Sequence, residues 1–290
     1  MQIQKSFTDN QETGRLYLVP TPIGNLKDMT YRAVETLEEV DFICAEDTRN
    51  TGLLLKHFEI TTKQISFHEH NAFEKIPYLL DLLISGKSLA QVSDAGLPSI
   101  SDPGHDLVVA AIEKNIPVVA LPGASAGITA LIASGLVPQP HLFYGFIPRK
   151  KGQQQAFFEE KKDYPETQIF YESPHRVAST LANMEGIYGN RQVVLVRELT
   201  KVFEEYQRGR IQEILDRITQ IPLKGECLII VSGKTQNKEL KNLTSDIDLI
   251  QAVKILISNG TKPTQAIKRV AKEFGKTRQY VYNAYHQLNK

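Results

Sequence analysis

Short apolar runs at 16–19, 40–45, 89–92 and 118–121 punctuate the first half of the chain. Between them, 31–39, 52–58, 73–85 and 105–114 carry apolar residues near helical spacing. Runs that are continuously apolar predict strands buried on both faces, and their alternation with helices predicts a parallel sheet. The second half repeats the theme at 168–171, 193–196, 202–208 and 228–231. The charged, alternating 202–208 segment (VFEEYQR) predicts an exposed edge strand, so this second sheet is expected to be mixed. Residues 144–151, with Pro148 and an RKK cluster, read as a linker, and the polar 233–245 as another.

The end of the chain has its own pattern. An apolar-faced helix is predicted over 247–257, a second over 264–274 after Pro263, and a third over 280–288. Gly275 suits a C-cap and Thr277 an N-cap, so the last two helices form a helix-turn-helix pattern. The fold class expected is therefore α/β: a parallel α/β domain over 1–145, a mixed α/β domain over 146–236, and a helical tail over 244–290.

The total charge of +1 hides an asymmetry. From Leu240 to the end, nine Lys and Arg face only Asp246, Asp248 and Glu273. A basic tail on an acidic body fits either an anchor for nucleic acid or a solvated helical face that packs or dimerises. Cys44 and Cys227 lie far apart in apolar runs, as reduced thiols of a cytoplasmic protein do. The polar N-terminus lacks the apolar region of a signal peptide. No charge occurs between Lys114 and His141, yet Pro117, Pro122, Gly123, Gly127 and Gly135 break that stretch. It reads as a strand, a loop and a small-residue helix, so no membrane span is expected.

Ligands of open parallel sheets bind beyond the carboxyl ends of the strands. Here those ends carry PTPIGNL (20–26), EDTR (46–49), SDAGLPSISDPG (93–104) and PGASAG (122–127). Any one of them could be ordinary turn chemistry, but four on one rim predict a pocket. No G-x-G-x-x-G follows the first strand, and the chain has no P-loop or H-E-x-x-H motif. His68 and His70 would share one side of a strand without a third ligand, so no metal site is expected. Asp94 ends a buried strand two residues before Gly96, where a carboxylate suits a ribose hydroxyl pair or an ammonium group. Asp102 and Ser173, each followed by Pro, read as helix caps.

The blocks VPTPIGNLKDMTYRAVETLEEVDFICAEDTRNT, SDAGLPSISDPG, LPGASA, FYESPHR and GECLIIVSG resemble the ribosomal RNA small-subunit methyltransferase I family. The resemblance runs from Leu16 to Leu288. It implies a tetrapyrrole-methylase-like fold of two α/β domains with S-adenosylmethionine in the cleft between them. The implied reaction is 2′-O-methylation of a cytidine ribose in the decoding region of 16S ribosomal RNA, in the cytoplasm, by a homodimer. Asp94 stands where the superfamily has the acid of its Gly-Asp-Pro loop; here the loop reads Ser93-Asp94-Ala95, unlike the porphyrinoid enzymes. The further cofactor positions implied are Gly96, Ile100, Ser125, Ala126, Tyr171, Gly225 and Glu226, with Pro20, Pro22 and Gly24 on the first loop.

A ribose hydroxyl is a weak nucleophile and needs a base or a polarising cation. Glu46, Asp47 and Arg49 are the candidates, with Asp47 accepting a proton and Arg49 gripping phosphate; the same pair also fits a helix cap. Arg149, Lys150 and Lys151 fit an RNA contact or a solvated linker, and Lys268, Arg269, Lys276 and Arg278 extend the basic surface on the tail. The rival functions are methylation of a porphyrinoid or other small molecule, and a ligand-sensing DNA-binding regulator. The altered Asp94 loop and the basic tail weigh against the first, and four catalytic-type loops against the second.

Overall fold

The computed structural model describes residues 1–5, 12–101, 104–234, 246–258 and 260–286. It divides into two compact units, Met1–Gly233 and Lys234–Lys290.

The first unit holds two five-stranded sheets. Sheet one is wholly parallel, in the order β3 (Lys63–Ser66), β2 (Phe42–Ala45), β4 (Leu89–Val92), β1 (Leu16–Leu18), β5 (Val118–Ala120). Helices α1 (Tyr31–Glu39), α2 (Thr48–His57), α3 (Ala72–Ile84) and α4 (His105–Glu113) connect its strands. Two separate cores form around it: Val19, Leu37 and Ile43 belong to one, Leu16, Leu79 and Leu107 to the other. That double burial is why β1, β2 and β4 read as continuous apolar runs. The pattern gave no sign of β3, whose only aliphatic residue is Ile65 and which lies at the sheet edge.

Sheet two is mixed, in the order β6 (His141–Phe146), β7 (Thr167–Glu172), β10 (Cys227–Val231), β8 (Gln192–Arg197), β9 (Glu205–Arg210). Only the β6–β7 pair is parallel. The charged segment is an edge strand as expected, displaced to Glu205–Arg210. The predicted linker over 144–151 is corrected: residues up to Phe146 belong to β6, and Lys151 opens α6 (Lys151–Lys161). Helices α7 (Val177–Tyr188) and α8 (Ile211–Gln220) pack with α6 around Phe158, Phe170 and Leu181. Helix α5 (Ala126–Ser134) lies against β7 and β10, ending at Gly135 in the left-handed conformation. The uncharged stretch is thus strand, loop and helix, and among the described residues no helix is long and apolar enough to cross a membrane.

In the second unit α9 (Asp246–Ser258), α10 (Pro263–Glu273) and α11 (Arg278–Tyr285) each pack on the other two. Val253, Ile267, Val270 and Val281 form its core. Pro263 sits in the first turn of α10, and the Thr277 hydroxyl accepts from the Tyr280 amide as the N-cap of α11. Lys268, Arg269, Lys276 and Arg278 are exposed on this unit. The cap expected at Asp102-Pro103 lies outside the described residues, as does the end of the helix expected to reach 288.

Candidate active site

The carboxyl ends of β1 and β4 are stitched together. Thr21 and Gly96 exchange backbone hydrogen bonds at 2.9 and 3.0 Å, and the Thr21 hydroxyl donates to the Ser93 carbonyl at 3.0 Å. These bonds hold the loop that carries Asp94, which lines a cavity of about 550 Å³. One wall comes from the Asp94–Ile100 loop and from Ser125 and Ala126 at the start of α5. The facing wall comes from sheet two, through Tyr171, Val196 and the 225–228 segment. Phe143 and Phe146 meet the Tyr171 ring edge-on, with centroids 5.0 and 5.5 Å away, which fixes an aromatic side to the cavity.

Eight of the expected cofactor positions therefore line one space: Asp94, Gly96, Ile100, Ser125, Ala126, Tyr171, Gly225 and Glu226. Tyr171 lies within β7, and β6 precedes that strand in the same sheet. Pro22 and Gly24 line a smaller neighbouring cavity, which shares Asp94. Pro20 lines neither: it is buried against Gly123, where a side-chain carbon would come within 2.3 Å of its ring.

At the lower edge of the large cavity Gly225 has φ of 85°, a conformation that favours glycine. It brings the Glu226 amide to the Glu198 carboxylate at 2.9 Å, while the Lys201 ammonium bridges Glu198 and Glu226 at 3.0 and 3.1 Å. The Glu226 amide, first, and Lys201 hold the Glu198 carboxyl below its ordinary pKa. Cys227 beside them is a free thiol that burial pushes up to about 11, so it is a poor nucleophile at neutral pH. Cys44 is likewise free and buried, and burial raises it to about 12.

Glu172 and Ser173 also line the large cavity. The Glu172 side chain is fully buried and accepts from the Thr180 hydroxyl at 2.7 Å and the Ser173 amide at 2.8 Å. Arg176 stands 3.3 Å from it and donates to the carbonyls of Ile147 and Pro148. This pair holds the segment that leads into Arg149, Lys150 and Lys151, which are exposed at the start of α6. Ser173 is not the expected cap: α7 begins at Val177, after a turn in which the Ser173 carbonyl accepts from the Arg176 and Val177 amides. The FYESPHR block signalled Glu172 only as an acid directly after an apolar strand.

Asp47 is the N-cap of α2: its carboxylate takes the Arg49 amide at 2.8 Å and the Arg49 guanidinium at 3.0 and 2.6 Å. The guanidinium, and then the Arg49 amide, hold the Asp47 carboxyl far below the usual range. Arg49 is 88% exposed, and Glu46, Asp47 and Arg49 line neither cavity. Their neighbour Asn50, which the sequence did not single out, donates to Asp94 at 3.0 Å. His68 and His70 fall in a turn region after β3, not on a strand, and no group of metal-binding side chains occurs among the described residues.

The pattern of the family described as Tetrapyrrole (Corrin/Porphyrin) Methylases matches residues 15–215. Curated relatives carrying the name ribosomal RNA small subunit methyltransferase I match nearly end to end. The chain is 70% identical to one from Streptococcus pyogenes serotype M1, covering 99% of this chain and 100% of that one. It is 45% identical to one from Bacillus subtilis (strain 168), covering 98% of each. Among solved structures it is similar in fold to uroporphyrin-III C-methyl transferase from Thermus thermophilus, complexed with S-adenyl homocysteine. That likeness has a TM-score of 0.53 at 17% identity, over 76% of this chain and 98% of that one.

Proposed function

From the premise that the chain belongs to the tetrapyrrole methylase family, and within it to ribosomal RNA small subunit methyltransferase I, we propose that it methylates the 2′-oxygen of a cytidine ribose in the decoding region of 16S ribosomal RNA. The observation that carries the proposal is the large cavity whose lining gathers Asp94 and seven other expected cofactor positions. S-adenosylmethionine supplies an activated methyl group when bound.

The residues present fit that donor. The walls from Ile100, Val196 and the aromatic trio are apolar, as the flat faces of an adenine require. Ser125 and Ala126 leave room, and Asp94 suits the ribose hydroxyls or the ammonium. Excluding water and aligning the hydroxyl with the methyl group are the main contributions such a site can make.

Arg49 takes the RNA backbone in this reading, and Asp47, held low by Arg49, anchors that guanidinium rather than accepting a proton. Glu46 completes the charged rim. Arg149, Lys150 and Lys151 contact RNA beside the cavity, and Lys268, Arg269, Lys276 and Arg278 on the tail. The division of labour is 1–145 and 146–236 for donor and acceptor, with 244–290 docking the small ribosomal subunit, in a cytoplasmic homodimer.

Offering labelled donor with either small ribosomal subunits or a reduced tetrapyrrole tests the acceptor class. Label in the RNA fraction alone is expected; label in the tetrapyrrole alone overturns the proposal.

A further inference from the structure

Beside the large cavity lies one of about 250 Å³, and Asp94 belongs to the walls of both. The smaller cavity mixes polar groups from Thr21, Asn50 and Asp94 with the apolar side chains of Leu26 and Leu53. It falls below the roughly 300–1,000 Å³ of ordinary small-molecule sites, and so suits a single base better than a macrocycle.

Asn50 donates one amide hydrogen to Asp94 Oδ2 at 3.0 Å. A carboxylate accepts and does not donate, so this bond directs the amide nitrogen toward Asp94 and forbids the flipped arrangement. The second amide hydrogen and the carbonyl oxygen of Asn50 have no partner among the described residues. What remains is an amide edge of fixed polarity, one donor beside one acceptor. Such an edge pairs with a base that sets an exocyclic amino group next to a ring-nitrogen acceptor. Cytosine presents that pair; uracil presents a carbonyl and a ring N–H in their place. Leu53, 71% exposed, and Leu26 offer apolar surface to the faces of a base.

We infer that this smaller cavity receives the acceptor nucleoside, withdrawn from its stack, and that Asn50 reads its base. The inference rests on the RNA-methylation reading above and assigns its acceptor subsite. It makes Asp94 the shared wall between donor and acceptor, with the exposed Arg49 beside Asn50 available to a flanking phosphate.

The test compares small subunits carrying cytidine or uridine at the methylated position, with wild-type, Asn50→Ala and Leu53→Trp full-length protein. Binding of S-adenosylhomocysteine is measured in parallel by calorimetry. Wild type is expected to favour cytidine by about 10- to 100-fold in kcat/KM, and Asn50→Ala to reduce that ratio to within about 3-fold. Leu53→Trp, which crowds the cavity from α2, should impair both RNA substrates and leave homocysteine-ligand affinity unchanged. Transfer by Asn50→Ala with the wild-type preference intact would overturn the inference. So would loss of S-adenosylhomocysteine binding in that variant, which would assign Asn50 to the donor site through Asp94. Wild-type protein that binds the ligand yet labels neither RNA would remove the RNA reading itself.

Discussion

Lys201 lies directly against Gly24: a side-chain carbon on Gly24 would meet the Lys201 Cγ at 2.6 Å and Cε at 2.9 Å. The loop after β1 is thereby packed on the residue that joins Glu198 to Glu226 on the facing wall of the large cavity. Gly24 also has φ of 146°, so Gly24→Ala adds backbone strain to the collision. The variant should lose about 1–3 kcal/mol of stability. It should also bind S-adenosylhomocysteine more weakly, because the displaced Lys201 releases Glu226. Thermal melting with and without the ligand checks both effects; an unchanged ligand-induced shift would separate this contact from donor binding.

Asp47→Ala should leave donor binding intact and abolish turnover, because it frees Arg49 from its bidentate hold. Calorimetry and a transfer assay on the same preparation decide this, and retained turnover would remove Asp47 from the machinery. The pH dependence has a definite sign. A carboxyl whose folded pKa is depressed stabilises the fold above its unfolded value, near 3.9, and that contribution is lost as pH falls through the folded pKa. Wild type and Asp47→Ala should therefore show parallel stability profiles from about pH 6 to 8 and converge only in acid.

Glu172 is a buried carboxylate whose partners are Thr180, the Ser173 amide and Arg176. Removing it strands those donors, and Glu172→Ala should cost about 2–4 kcal/mol. Glu172→Gln should cost less, since an amide oxygen can still accept. Arg176 would then hold the carbonyls of Ile147 and Pro148 without its counter-ion. The expected signature is a KM for small subunits that rises more than kcat falls. Equal stability of all three proteins would show the network to be dispensable.

Much of this arrangement was legible in the chain. The strands of sheet one announced themselves because β1, β2 and β4 are buried on both faces, and the rim because Gly, Pro and Asp crowd their carboxyl ends. Edge strands were harder. β3 offers one aliphatic residue, and β6 runs straight into Pro148 and the basic cluster, which masked its last three residues, 144–146, as the start of a linker. At the site, Asp94 and Gly225 could be placed from local patterns and family resemblance. Asn50 could not, because its meaning comes from Asp94, 44 residues away. Nor could the Glu172–Arg176 pair, since Ser173-Pro174 has the same local pattern as a helix cap.

If the tail and the 149–151 cluster neutralise RNA phosphates, affinity should fall with salt. About four phosphate contacts give a log–log slope near −3 for single-stranded RNA. Replacing Lys268, Arg269, Lys276 and Arg278 with Ala should flatten that slope and weaken binding across RNA sequences alike. Filter binding to small subunits over a salt series measures it. A flat profile in the wild type would contradict electrostatic docking.

The most direct test is transfer from methyl-labelled S-adenosylmethionine into small ribosomal subunits that lack their native modifications, followed by digestion to nucleosides and mass identification. The proposed function predicts label in 2′-O-methylcytidine, from a fragment of the decoding region. Label in a methylated base or another nucleoside, or none despite measurable donor binding, would contradict it.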